Sequence, residues 1–269
     1  MYKPMCALAV FLVAALPAFA QSSQRGTMST VPPDVVKKLA PTGKLRAAIN
    51  LGNPVLAQKG PAGEPRGVTV DLATELARRA GLTLELVPFD AAGKVFEALK
   101  ESKWDIAFLA IEPVRAAEIA FTAPYVIIEG VYLVPKDSKL NAVEEVDRAG
   151  IRIAVNKGSA YDLFLTRTIK NATIVRGESG VDLFVNDKLD VVAGVKQPIV
   201  AYAKTNPDVR VMDGRFMEIR QAMGTPQGRP AAAAYLKTFV EEMKASGFVA
   251  DALKRSNQPD ATVAPAATN

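Results

Sequence analysis

Apolar and polar positions along this chain fall into two successive series of alternating strands and helices, separated by one long extended stretch. In the first series residues 45–50 read as a strand, followed by a loop of Gly, Pro and charge through Gly67. Leu72, Ala73, Leu76, Ala77 and Ala80 then recur on one face of a helix over 71–80, which Gly81 stops. Leu82, Leu84 and Leu86 alternate with Thr83 and Glu85, the period of a strand. Val95, Phe96 and Leu99 mark the next helix and 105–110 the next strand. Pro113 suits the first turn of a short helix ending near Ile119, and an extended segment over 126–134 leaves the unit.

The pattern then restarts. Strands are predicted at 151–155, 172–175, 189–193 and 209–212, with helices at 159–168, after Ser179 and at 198–204 between them. Ser159 with Asp162, and Ser179 with Asp182, have the spacing of N-terminal helix caps. A long amphipathic helix over 230–246 carries Tyr235, Phe239, Val240 and Met243 on one side, and a short helix over 248–255 follows. Strands alternating with helices imply parallel sheets covered by helices, here in two α/β units. In such sheets ligands sit beyond the carboxyl ends of the strands, and pockets favour junctions between units.

The ends of the chain stand outside both series. Lys3, an apolar run over 7–16 and Ala18-Phe19-Ala20 form the three regions of a secretory signal, with cleavage expected after Ala20. The run is too short for a bilayer of ~30 Å, so an exported protein is expected. Residues 21–44 read as a loose leader with one short helix at 34–39, and 257–269 as a disordered Ala/Pro/Thr-rich tail.

Composition removes several chemistries. There is no histidine, which excludes His-based triads and most zinc sites, and no metal or cofactor is expected. The only cysteine, Cys6, lies in the signal, so stability must come from the core. The net charge of +5 is spread along the chain without a basic stripe, which argues against nucleic acid and allows a mild attraction for anionic solutes.

Arg115 is the first candidate for ligand contact. It follows the strand ending at Ala110, where a guanidinium can hold a carboxylate by two parallel hydrogen bonds, and Ala110 itself is placed at the site. The plainer alternative is a surface arginine paired with Glu118. Gly158, Ser159 and Ala160 open a helix after a strand, where backbone N–H groups and the helix dipole favour an anion; the plainer alternative is a capped helix start. Asn50, Asn53 and Phe89 lie at strand ends, and Glu112 and Glu129 are carboxylates able to meet an ammonium or to pair at the rim.

Together these pieces resemble the family-3 solute-binding proteins of ABC importers, over nearly the whole of the chain beyond the signal. The resemblance rests on Gly67-Val68-Thr69-Val70-Asp71-Leu72-Ala73, on Trp104-Asp105-Ile106-Ala107, Pro113-Val114-Arg115 and Phe121-Thr122-Ala123-Pro124-Tyr125, and on Asn156-Lys157-Gly158-Ser159-Ala160. It implies two Rossmann-like lobes joined by a two-segment hinge, the type II periplasmic binding protein arrangement. Lobe one would comprise 45–134 and 223–256, and lobe two 135–222. It also implies that Arg115 and the 158–160 turn grip a carboxylate from opposite lobes, in a monomer that docks on a membrane permease. The usual ammonium-binding Asp of amino acid receptors is absent, since 189–193 continues into Gly194-Val195-Lys196, and Asn53 replaces an aromatic ligand cover. The expected ligand is therefore an amino acid or a related small carboxylate, with room for one that is not a standard α-amino acid. Alternatives are an exported dehydratase-like enzyme using Glu112 as its acid, and a ligand-presenting protein for a membrane sensor.

Overall fold

The structure, a computed structural model, describes residues 31–268. The expected signal and the beginning of the leader lie outside the described residues.

Helix α1 (Pro33–Leu39) precedes β1 (Lys44–Asn50), and a small hairpin of β2 (Gln58–Lys59) and β3 (Pro65–Arg66) leads into α2 (Val68–Ala80). α2 buries Val68, Thr69, Leu72, Ala73, Leu76 and Ala77 and ends on Gly81 at φ 64°, a left-handed cap that favours glycine. β4 (Thr83–Phe89), α3 (Ala92–Glu97), β5 (Ile106–Ala110) and the single turn α4 (Pro113–Ala116) complete the first series. The extended segment is β6 (Ile119–Pro135), longer at both ends than its apolar run suggested. The second series holds β7 (Arg152–Asn156), α5 (Ala160–Thr168), β8 (Thr173–Gly177), α6 (Gly180–Asn186), β9 (Val191–Val195), α7 (Lys196–Thr205) and β10 (Val209–Val211). The chain then returns along β11 (Met217–Pro226), which the sequence reading did not predict, to α8 (Pro230–Ala245), α9 (Phe248–Arg255) and β12 (Thr262–Val263).

The main sheet runs β4-β1-β5-β11-β6-β9-β7-β8. β1 lies parallel to β4 and β5, and β7 parallel to β8 and β9, so each series builds a three-stranded parallel core. β11 runs antiparallel to β5 and β6, and β6 antiparallel to β9. One strand thus serves both halves: β6 pairs with β11 from Ile119 to Gly130 and with β9 from Gly130 to Leu133. The α/β architecture is that of two Rossmann-like lobes joined by two strands. β5, flanked on both sides, is buried at every residue, whereas the edge strand β4 is half-exposed and tolerates Pro88, whose missing N–H faces no neighbour there.

The two lobes share one internal device. In the first, Asp105 receives the backbone N–H of Arg46 at 3.2 Å and its guanidinium at 2.9 and 3.0 Å, tying β5 to β1. In the second, Asp190 receives the backbone N–H of Arg152 at 2.9 Å and its Nε at 3.2 Å, tying β9 to β7. Both ties sit at the ends of the parallel strands away from the lobe junction, so they fix strand register without entering the site.

Two expectations are corrected at the termini. From Val31 onward the leader is part of the fold, with Val35 and Leu39 of α1 buried where it packs on α8. The tail expected to be disordered is docked: β12 pairs with Val126 and Ile127 of β6, and the Ala264 N–H donates to the Tyr125 carbonyl at 3.0 Å. Ala261 and Ala264 are buried there, because small side chains let the strand approach a sheet edge that a polar tail would leave open.

Candidate ligand site

The site is built around Arg115. Pro113 sits in the first turn of α4, where its fixed φ and missing N–H are no loss, and the turn points Arg115 back under the end of β5. Its Nη1 donates to the Ala110 carbonyl at 3.1 Å within its own lobe, and its Nη2 to the Gly158 carbonyl at 2.8 Å in the other. The residue is 1 % exposed, and its Nε has no partner among the described residues. Burial pushes its pKa down to about 10, the nearby Glu112 charge opposing the shift, so the guanidinium remains a cation at neutral pH. The surface pair with Glu118 does not form.

A cavity of about 180 Å³ lies at the lobe junction beside this guanidinium. Six of the residues singled out in the sequence line it: Asn50, Asn53, Ala110 and Arg115 from the first lobe, Ser159 and Ala160 from the second. The Asn50 amide oxygen is engaged with the Gly52 N–H at 3.0 Å and shapes the loop. Asn53 is 6 % exposed and its Oδ1 accepts no hydrogen bond among the described residues. Leu109, Val195, Ile199 and Ile219 supply the apolar part of the wall.

The start of α5 departs from the expected anion cradle. Ser159 caps the helix, its Oγ accepting the Asp162 N–H at 3.1 Å. The Gly158 N–H donates to the Asp162 carboxylate at 2.8 Å, and the Ser159 N–H to the Asn156 carbonyl at 3.1 Å. The first-turn N–H groups of Ala160 and Tyr161 are those a helix leaves without an internal acceptor, and both residues line the cavity.

Four of the candidates fall outside the wall. Gly158 stands behind it, at φ +70°, holding Arg115 through its carbonyl. Phe89 packs with Val95 and Trp104 in the core of the first lobe, as an apolar residue at a strand end does when the next helix covers it. Glu112 is buried, but it turns to the second lobe and forms a close ion pair with Arg167 rather than facing a ligand. Glu129 lines a separate, larger groove, where Lys196 and Arg215 hold its carboxyl below the usual range.

Two polar wall residues that were not among the sequence candidates, Gln221 and Tyr161, bear on the chemistry of the site. Gln221, 5 % exposed, enters from β11, and the alternation Met217-Glu218-Ile219-Arg220-Gln221, in which every second residue is buried, was the signal for that strand. Tyr161 supplies an aromatic group, and burial pushes its phenol up to about 12, leaving a neutral hydroxyl.

The lobes also touch around the cavity. Gly93 and Gly158 approach so closely that a Cβ on Gly158 would stand 2.9 Å from the Gly93 Cα. Lys94 of α3 reaches Glu178 across the junction at 3.1 Å while holding Asp90 at 3.0 Å.

Two parallel-sheet lobes on a two-strand hinge, closed over a small cavity with a buried cation in its wall, are the arrangement of a two-lobed binding protein. The chain belongs to the bacterial extracellular solute-binding proteins, family 3, whose family model matches residues 45–256. It is 26 % identical over 192 residues to ABC transporter arginine-binding protein 1 of Escherichia coli, covering 69 % of this chain and 76 % of that one. It is 25 % identical over 162 residues to cyclohexadienyl dehydratase of Pseudomonas aeruginosa, covering 57 % of this chain and 60 % of the enzyme. Among solved structures it resembles the L-cysteine solute receptor of Neisseria gonorrhoeae, with a TM-score of 0.72 at 21 % identity, over 83 % of this chain and 94 % of that one. Similar chains thus include both binding proteins and an enzyme. No helix among the described residues is long and apolar enough to cross a membrane.

Proposed function

We propose that this protein captures a small carboxylate-bearing solute between its lobes in the periplasm and delivers it, as a monomer, to the membrane permease of an ABC importer. Arg115 carries the reading. A cation removed from water is unfavourable unless an anion meets it, yet Arg115 is buried with two carbonyls as its acceptors and, among the described residues, no carboxylate in contact. A solute carboxylate arriving in the cavity supplies the missing charge, and the free N–H groups of Ala160 and Tyr161 meet it from the second lobe. Asn50, Asn53 and Ala110 complete the near wall. In this reading lobe one is 45–134 with 223–256 and lobe two is 135–222, and they close about β6 and β11, where the pairing register shifts between Gln221 and Ala222.

An enzyme on the same scaffold is the competing reading, favoured by the dehydratase among the similar chains. It needs a positioned acid at the solute. Glu112, the candidate for that role, is held by Arg167 outside the cavity wall. The pairing supports capture without turnover.

Native mass spectrometry of freshly purified protein, followed by denaturation, tests the proposal. An acidic small molecule released unchanged from the wild type and absent from Arg115→Met is the expected result. Retention of the same mass by Arg115→Met, or steady conversion of added arogenate or prephenate, overturns it.

A further inference from the structure

The charges around the cavity point beyond solute capture to the chemical class of the solute, an inference that rests on the capture reading. A ligand bearing an α-ammonium brings a positive charge into a cavity whose wall already holds one buried guanidinium, so an anionic partner in the wall would favour it. The acids near the junction are all turned to other work. Asp162 binds the Gly158 N–H at 2.8 Å and Arg176 at 2.8 Å. Glu112 is committed to Arg167 and Glu178 to Lys94. Among the described residues the one acid in the wall is Asp90, whose side chain is 75 % exposed and already paired with Lys94 at 3.0 Å. The strand end of the second lobe contributes Ala193, Gly194 and Val195 to the wall, with no carboxylate.

The uncharged polar groups that remain have a definite character. The Asn53 amide is more than nine-tenths buried, lines the cavity, and its oxygen accepts nothing. An amide offers one acceptor and one donor edge without net charge, which matches a hydroxyl or a carbonyl on the ligand. Gln221, also buried and in the wall, offers the same chemistry from β11. The cavity of about 180 Å³ lies below the usual range for drug-sized ligands, so the solute is small, and its remaining surface meets Leu109, Val195, Ile199 and Ile219.

We infer that the solute is a small carboxylate whose second polar group is neutral, a 2-hydroxy or 2-oxo acid, and that the Asn53 amide reads that group where an amino acid would present an ammonium.

Matched ligand sets separate this inference from the reading beneath it. Binding to the wild-type protein, first freed of retained solute by unfolding and refolding, is measured for alanine, valine and phenylalanine, and for the 2-hydroxy and 2-oxo acids of the same three skeletons. The inference expects at least one hydroxy or oxo acid to bind ten-fold or more tighter than its amino acid partner. It expects Asn53→Asp, which adds an anion to the wall, to narrow or invert that preference. An amino acid that binds as tightly as its hydroxy and oxo partners overturns the inference and leaves capture standing. Failure of every carboxylate to bind overturns both. Should Asn53→Asp not fold, the wild-type comparison decides alone.

Discussion

Arg115 is a residue whose stability and function should separate. Replacing a buried, incompletely paired charge by an apolar side chain of similar length is often neutral or stabilising, although Ala110 and Gly158 would lose a donor to their carbonyls. Arg115→Met is therefore expected to unfold within about 2 kcal/mol of the wild type in urea while losing carboxylate binding. Arg115→Lys keeps the charge but not the planar fork, so a partial loss is expected by calorimetry. Because burial favours the neutral guanidine and sets its pKa near 10, the charged form prevails throughout the neutral range. Affinity should stay level from about pH 6 to 9 and fall as pH rises through about 10. At this scale the sequence was legible for placement where chain position alone decided, since Arg115 and Asn53 do reach the cavity wall. Glu112 was not, because its partner Arg167 lies 55 residues away on the other lobe and no local pattern announces it. Neither was Gly158, whose N–H is taken by Asp162 from the helix it precedes.

Burial separates the two lobes' matching ion pairs. Asp105 is fully buried and holds both Arg46 and Arg229, so Asp105→Asn leaves cations without their charge partner and is expected to cost about 3–5 kcal/mol of unfolding free energy. Asp190 and Arg152 are 38 % and 45 % exposed at their side chains, and Asp190→Asn should cost no more than about 1 kcal/mol by the same denaturation measurement. Most helices and parallel strands were readable from their period, since α2 and α8 bury the faces their apolar residues mark. β11 was hidden because its first half alternates and its second half is buried continuously between β5 and β6, a pattern that matches no single period. The docked tail was unreadable because its composition is that of a disordered segment. What orders it is the open edge of β6, a partner well over a hundred residues earlier in the chain. Removing 257–268 uncovers that edge and is expected to lower stability by about 2–3 kcal/mol.

For the whole molecule the lobes meet through contacts that exist only when they are closed. Gly93→Val would put two methyl groups where the Gly158 backbone now lies; an added Cβ alone stands 3.3 Å from the Gly158 Cα. Since neither lobe's own core is touched, the melting temperature should hold within a few degrees while ligand affinity falls about ten-fold. Small-angle scattering should then show a larger radius of gyration than that of the ligand-bound wild type. The two-lobe plan was readable because the strand–helix series visibly restarts, whereas the closed contacts depend on distances that only folding sets. The most direct test of the whole account is titration calorimetry of the tightest-binding small carboxylate against the wild type and Arg115→Met. A loss of about 100-fold or more (~3 kcal/mol) with the fold intact is the predicted result. An affinity within three-fold of wild type would mean that the buried guanidinium does not receive the solute, and would contradict the account.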